Sequence, residues 1–341
     1  MKKILITFFF FSLITSNAKS VSYRWTKEQA NEWYKKQPWL VGCNFIPSTT
    51  INQLEMWQKE TFDTETIDRE LGWAHDISFN LIRVFLHNLL WGGDRAGFKE
   101  RLDKFLEIAD KHKIKVMFVL FDDCWNENPQ LGKQPEPRKG VHNSGWLQAP
   151  GKTILNDTTQ WNKLGEYEKD ILTSFGKDSR VLIWDLYNEP GNSGHNDKTL
   201  PLLKKVFAWA REANPSQPVT AGIWANELNN FNEYQLQNSD VITYHNYGNA
   251  TSMENEIVEL LKLGRPVICT EYMARTRDSK FETHLPILKK YNVGAINWGF
   301  VSGKTNTIFP WDPKRAAKNP NFGSMIFLEK TELHLMKMKL S

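Results

Sequence analysis

The chain has 341 residues, 40% hydrophobic and 24% charged, with a formal net charge of +4, a globular composition with apolar matter enough for a large core. Its positive and negative residues are interspersed without a basic run, which argues against a nucleic-acid partner. Cys43, Cys124 and Cys269 are its only cysteines, so a disulfide framework and a C-x-x-C metal pattern are both excluded.

Met1 to Ala18 opens with Lys2 and Lys3, continues through the apolar run Ile4 to Ile14 and ends on Ser16-Asn17-Ala18. This is the pattern of a secretory signal peptide with a small-residue cleavage site. The run is too short for a bilayer, which needs about 20 residues. The sequence therefore predicts a signal peptide over 1–18, a catalytic domain over 19–341, and export to the periplasm or the extracellular space. No membrane partner is expected once the segment is removed. Its removal takes away Lys2 and Lys3 and lowers the formal charge from +4 to +2.

From Trp39 onward short apolar runs alternate with longer amphipathic ones. Strands are predicted at Leu40–Phe45, Leu81–Leu86, Ile114–Phe121, Val181–Leu186, Pro218–Trp224, Val241–His245, Pro266–Thr270 and Gly294–Phe300. Segments with helical spacing lie between them at Glu65–His75, Phe98–His112, Trp161–Phe175, Leu200–Ala213, Met253–Leu263 and Phe281–Tyr291. Eight strands separated by helices predict an α/β fold, a single-domain (β/α)8 TIM barrel. An open doubly wound sheet is the alternative, but the Gly-rich fingerprint of its nucleotide-binding form is absent. Cys43 and Cys269 fall inside strands and read as buried small hydrophobes. A disulfide from one of them to Cys124 stays open.

A barrel of this kind carries its functional side chains at the C-terminal ends of the strands. Arg83 and His87, Asp122 and Asp123, Asn188 and Glu189, Trp224, His245 and Tyr247, Glu271, and Trp298 all fall there. A lone Asp or His after a strand is more often a helix cap, but here the positions recur around one rim. VLIWDLYNEP brings a strand to an abrupt end at Asn188-Glu189-Pro190, and VICTEY ends a second strand on Glu271. Glu189 follows strand four and Glu271 strand seven, so the two face each other across the mouth. Two carboxyls so placed suit glycoside hydrolysis, with a separation of about 5–5.5 Å for retention and a wider gap for inversion.

WDLYNEP, YHNYG, VICTEY and INWGF, in this order, resemble the cellulase-like family 5 glycoside hydrolases and the wider superfamily of retaining (β/α)8 glycosidases, over Trp39 to Trp311. The resemblance implies that Glu189 is the general acid/base and Glu271 the nucleophile. Glu189 then needs a raised pKa from burial and the opposing carboxylate, and Glu271 must stay ionised. Arg83 supplies a positive charge for it, and Tyr247 a hydrogen bond, with His245 shaping the same wall. Asn188 is expected on the sugar 2-hydroxyl and Trp298 under the sugar ring, with barrel core as the equal alternative for Trp298. His87 completes the expected substrate-binding set from the strand ends.

Asp122 to Gln160 is far longer than a usual βα loop of about 2–6 residues. It carries Trp125 and Trp146, with His142 and Asn143 beside Trp146, a mixture of aromatic and polar groups that suits sugar. The loop is expected to wall the cleft; an Ω-like cover packed on its own aromatics is the alternative. Asp122, Asp123, His87 and His142 lack tight ligand spacing, so neither metal nor cofactor is expected. The expected partner is an oligo- or polysaccharide. A transglycosylase on the same scaffold and a non-catalytic carbohydrate-binding barrel remain open, as does endo against exo action. Ser324 to Lys339 lacks the pattern of a closing barrel helix; it reads as an amphipathic helix over Met325–Leu340 or as a frameshifted end.

Overall fold

The computed structural model describes residues 23–311; the expected signal peptide and the segment 324–341 lie outside them. Eight strands form one parallel sheet: β1 (Val41–Asn44), β2 (Leu81–Phe85), β3 (Lys115–Asp122), β4 (Val181–Asn188), β5 (Val219–Thr220), β6 (Ile242–His245), β7 (Val267–Glu271) and β8 (Gly294–Asn297). Hydrogen bonding runs in the order β5-β4-β3-β2-β1-β8-β7-β6. The remaining seam is spanned just beyond β5 by a parallel bridge between Ile223 and Tyr244. The architecture is the predicted (β/α)8 barrel.

The strands are buried along nearly their whole length, because helices cover the sheet outside while side chains fill it inside. Helix Arg95–Lys111 shows the outer layer: Phe98, Leu102, Phe105, Leu106 and Ala109 are buried at helical spacing. Its N-terminus is capped by Asp94, which accepts from the Gly97 N–H. Asp63 and Asn249 cap helices Thr64–Asp76 and Ala250–Leu261 in the same way.

Several elements differ from the sequence expectation; β8, for one, ends at Asn297 instead of Phe300. β5 is two residues long, whereas the apolar pattern predicts Pro218–Trp224. Side chains take the backbone groups that would have continued its ladder: Ala221 N–H donates to Ser239 Oγ, and Gly222 C=O accepts from Gln235 Nε2. Helix Lys27–Lys35 precedes β1 and is not evident from the pattern, since KEQANEWYK carries few apolar residues. Its Ala30 and Tyr34 join Leu40, Leu81, Met117, Ile183, Val241, Ile268 and Ile296, from or beside the strand starts, in one apolar cluster. The helix thus closes the N-terminal end of the barrel. The Tyr34 hydroxyl satisfies itself on Asn292 C=O at 2.9 Å.

All three cysteines are free and buried, so the disulfide left open for Cys124 is not formed. Among the described residues no helix is long and apolar enough to cross a membrane.

Candidate active site

The C-terminal mouth of the barrel opens into a cavity of about 520 Å³. Strand β4 delivers Asn188 to it and then turns sharply. Glu189 takes φ +43, a left-handed backbone that costs a non-glycine residue about 1–3 kcal/mol and persists only where surroundings enforce it. Asp123 supplies the enforcement, accepting from Tyr187 Oη, the Gly191 N–H and Thr199 Oγ1 at 2.8, 2.7 and 2.6 Å. Strand β7 brings up Glu271 from the facing side. One oxygen of each glutamate and a ring nitrogen of His245 all lie within 4.8 Å of one another.

Buried charge surrounds this pair. Arg83, fully buried, reaches upward from β2 and donates to Glu271 Oε1 and Asn44 Oδ1, both at 2.8 Å, and to Asn188 Oδ1 at 2.6 Å. It also meets Asp185 Oδ2 at 2.8 Å. Burial acts to lower the guanidinium pKa, but Asp185 and Glu271 outweigh it and hold Arg83 above its ordinary value. Tyr247 Oη donates to Glu271 Oε2 at 2.7 Å. His245 Nδ1 lies 2.7 Å from Glu189 Oε1 and 3.6 Å from Glu271 Oε2. Against burial, these two carboxylates raise the imidazole pKa. Arg83 and His245 thus stand among three buried carboxyls, Asp185, Glu189 and Glu271.

The order of proton affinity at the two glutamates departs from the sequence expectation. Burial works to raise Glu189, yet His245, with Cys124 and Asn192, holds it below the ordinary carboxyl range. Burial and the neighbouring Glu189 charge leave Glu271 above that range despite His245, Arg83 and Tyr247. In the unliganded site Glu271 therefore holds a proton more readily than Glu189, the reverse of the order expected from the roles of acid/base and nucleophile. Glu189, Glu271 and His245 have the donor chemistry for a cation, but an oxygen of each glutamate already faces Arg83 or His245. Internal cations take the place a metal would fill.

The remaining predicted residues divide. Trp298 and Tyr247 line the cavity, as do Trp125, Trp146, Asn188 and His245. Trp298 is 6% exposed and meets Trp146 edge-on at 5.4 Å, so it serves cavity wall and barrel core together. Trp146 is nearly buried, with Nε1 donating to Asp122 Oδ2 at 2.7 Å. Burial pushes Asp122 up to about 7 against that bond and others from Asn188 and Cys124. The long β3 loop thus walls the cleft through Trp125, His142, Asn143 and Trp146, and Trp146 packs on Phe85 and Trp298 from outside the loop.

Arg83 and His87 are corrected. Both are 0% exposed and neither lines the cavity. Arg83 orients Glu271 from beneath. His87 caps helix Asn88–Gly93, its Nδ1 accepting from the Leu89 N–H and its Nε2 lying 3.0 Å from Gln148 C=O; burial lowers its pKa to about 4. The Asn188 amide is already committed to Arg83 and Asp122, with Cys124 Sγ 3.4 Å from Nδ2.

Sequence reasoning missed Asp185, Cys124, Asn192, Arg277 and Trp311. Asp185 carries a legible signal: a carboxylate inside a strand covered on both faces requires a buried cation, and Arg83 on β2 is the matching one. Cys124 Sγ lies 3.2 Å from Glu189 Oε2 and Asn192 Nδ2 also donates to that oxygen, contacts that exist only once β3 and the β4 turn meet. Trp311 reaches the cavity from beyond β8, packing on Tyr247 at 4.8 Å under the Arg277 guanidinium.

A (β/α)8 barrel with two carboxyls facing across its C-terminal mouth has the architecture of barrel enzymes that work with paired carboxylates. The chain belongs to glycosyl hydrolase family 5: the sequence profile described as Cellulase (glycosyl hydrolase family 5) matches residues 37–303. It is accordingly a glycoside hydrolase. No curated protein matches the chain. Among solved structures, it is similar to the hyperthermostable endo-1,4-beta-D-mannanase from Thermotoga petrophila RKU-1, at 14% identity and TM-score 0.57 over 88% of this chain and 98% of that one. It is similar to the exo-beta-1,4-mannosidase Op5Man5 from Opitutaceae bacterium strain TAV5, at 15% identity and TM-score 0.60 over 94% of this chain and 61% of that one. GH5_18 from Streptomyces cattleya, in complex with GlcNAc, aligns at 13% identity and TM-score 0.59 over 88% of this chain and 79% of that one. At such identities these likenesses speak to the fold alone.

Proposed function

We propose that the protein is an exported, retaining glycosidase of β-linked glycans, with Glu189 as acid/base and Glu271 as nucleophile. The observation that carries this reading is the approach of the two carboxyls, with one oxygen of each within 4.8 Å. So close an approach favours the retaining arrangement, with carboxyl groups about 5–5.5 Å apart, over the wider gap of about 6.5–9.5 Å in inverting enzymes.

In the first step Glu189 gives its proton to the glycosidic oxygen while a Glu271 oxygen bonds to the anomeric carbon, and the leaving sugar departs with that proton. In the second, Glu189 takes a proton from water, whose oxygen displaces Glu271 and frees the sugar. Arg83 and Tyr247 hold Glu271 in line for attack, and Trp298 offers its face to the ring. Asn188 Nδ2 exchanges its Cys124 contact for the sugar 2-hydroxyl.

Substrate also sets the proton order that chemistry needs. A sugar seated between the carboxyls displaces water, which raises the acid. Positive charge growing on the anomeric carbon lowers the pKa of Glu271. In the free site Glu271 has the higher proton affinity of the two, and the loaded site has reason to place the proton on Glu189.

The test is reducing-end release from β-glucans, β-mannans, β-xylans and aryl β-glycosides, with Glu189→Gln as control and product anomers followed by NMR. We expect release with retained configuration. Inverted products, or no release from any β-linked substrate, would overturn the reading.

A further inference from the structure

The segment His245–Gly248 carries both side chains that steady the glutamates from β6: His245 Nδ1 on Glu189 and Tyr247 Oη on Glu271. Its placement begins at an irregularity in the sheet. β6 and β7 pair Tyr244 with Cys269 but His245 with Glu271, so β7 carries an extra residue, Thr270, between the paired positions. A bulge of this kind re-aims the side chains beyond it, and here it sets His245 beside Glu271. Asn246 N–H then donates to Glu271 C=O at 3.0 Å, which ties the loop to the backbone of the facing glutamate.

Past the end of β6 side chains take over from the ladder. Asn246, 7% exposed, stands between His245 and Tyr247. Its Oδ1 accepts from the Gly248 N–H at 2.8 Å, and its Nδ2 donates to Glu256 Oε2 at 2.5 Å and to Ser252 Oγ at 3.3 Å. Glu256 lies on helix Ala250–Leu261 in step with the buried Met253, Ile257 and Leu260. A carboxylate in an apolar stripe needs a donor, and the one it meets among the described residues is Asn246.

A second fastening comes from helix Phe281–Lys290. His284 is 0% exposed, and its ring stacks on Tyr272 with centroids 6.1 Å apart. Its Nδ1 accepts from the Lys280 N–H, and its Nε2 lies 3.0 Å from Gly248 C=O. An imidazole that accepts at Nδ1 carries its proton at Nε2, so Nε2 donates to Gly248. Glycine at this position lets the loop sit directly on the helix: an added Cβ would lie 2.6 Å from Ser252 Oγ and 2.8 Å from Ser252 Cβ.

We propose that Asn246 and Glu256 are positioning residues of the catalytic centre. Their hydrogen bond, with His284 behind Gly248, fixes the loop so that His245 and Tyr247 meet the two glutamates at bonding distance. Asn246, Glu256 and His284 are absent from the cavity lining, so they act through the loop and not on the sugar. The inference rests on the reading of Glu271 as the nucleophile, since a drift of Tyr247 matters to the chemistry only if Glu271 attacks. Misplacing a reacting group by about 1 Å costs about a hundredfold in rate, which is why a short loop beyond the ladder needs such fastening.

The test separates the hydrogen bond of Glu256 from its charge. Glu256→Gln keeps an acceptor for Asn246 and removes the charge. Glu256→Asp keeps the charge and draws the carboxyl back by one methylene, out of reach of Asn246, and Glu256→Ala removes both. On the best substrate of the glycan panel, kcat should fall about 10- to 100-fold in Glu256→Asp and Glu256→Ala with KM little changed, and hold near the wild type in Glu256→Gln. If Glu256→Ala does not fold, the milder Glu256→Asp carries the comparison. Added to Tyr247→Phe, Glu256→Asp should cost only about two- to threefold more, because the contact it serves is already gone. The 15N resonances of the His245 ring report the loop without turnover; they should move in Glu256→Asp and hold in Glu256→Gln. Activity lost in Glu256→Gln and kept in Glu256→Asp would make Glu256 a source of charge, and equal losses with and without Tyr247 would make it a packing residue; either result, or unmoved resonances in Glu256→Asp, overturns the proposal. If no β-linked glycan is cleaved but the resonances move in Glu256→Asp and hold in Glu256→Gln, the fastening stands and the assignment of Glu271 falls.

Discussion

The N-terminal end of the barrel is closed by apolar side chains, with Tyr34 and Ala30 packed among Leu81, Met117, Ile183 and Ile268. The C-terminal end, one strand length away, buries Arg83, Asp185, His245 and Glu271. The same parallel sheet supports both, because inward residues of successive layers need not share a polarity. Apolar burial at the bottom stabilises the fold, at about 25 cal/mol per Å² removed from water. Charge burial at the top contributes little to stability and leaves a strong dependence on pairing. Its return is chemical: carboxyls whose proton affinities are displaced and coupled.

Substitutions at the two ends should therefore separate stability from activity. The largest effect is expected from Glu271→Ala, which should cut hydrolysis of the best substrate by about 10⁴- to 10⁶-fold, read as initial rates. Arg83 keeps Asp185 as its ion partner in that variant, so the melting temperature should fall by less than in Tyr34→Ala. Tyr34→Ala should do the reverse, costing about 3–5 kcal/mol in denaturant unfolding while kcat of the folded fraction holds. Equal loss of activity in the two variants would break the division between the ends.

Within the top, Tyr247→Phe removes a hydrogen bond to a charged group, worth about 1.5–3 kcal/mol, and should lower kcat/KM by about 10- to 150-fold. A change in KM alone would assign Tyr247 to the substrate instead of to Glu271. The smallest effect belongs to Cys124→Ala. The thiol donates to Glu189 Oε2 and so favours the ionised carboxyl, one of the contacts that keep Glu189 low. Without it Glu189 holds its proton to higher pH, and the basic limb of kcat/KM should move upward by a fraction of a pH unit. Cys124→Ser restores a donor and should return the limb; an unmoved limb in both variants would make Cys124 a packing residue only.

Period and order determined the barrel. Eight apolar runs of strand length, separated by amphipathic segments, leave few foldings for a chain of this size, and both glutamates were legible because each follows such a run directly. Asp185 was legible in principle, a charge in an otherwise apolar strand. What the sequence did not carry is whatever depends on which loops meet. His87 and Glu271 look alike as polar residues after strands, yet one caps a helix and the other faces a cavity. The proton order at the glutamates likewise follows from contacts across the rim, with His245, Cys124 and Asn192 lowering Glu189 while burial and the Glu189 charge raise Glu271. Hydrophobic periodicity is a property of neighbours along the chain, so the sequence alone determined the barrel and its rim. Electrostatics and hydrogen bonding are set by distances between residues remote in the chain, so only the tertiary structure decided what each rim residue does.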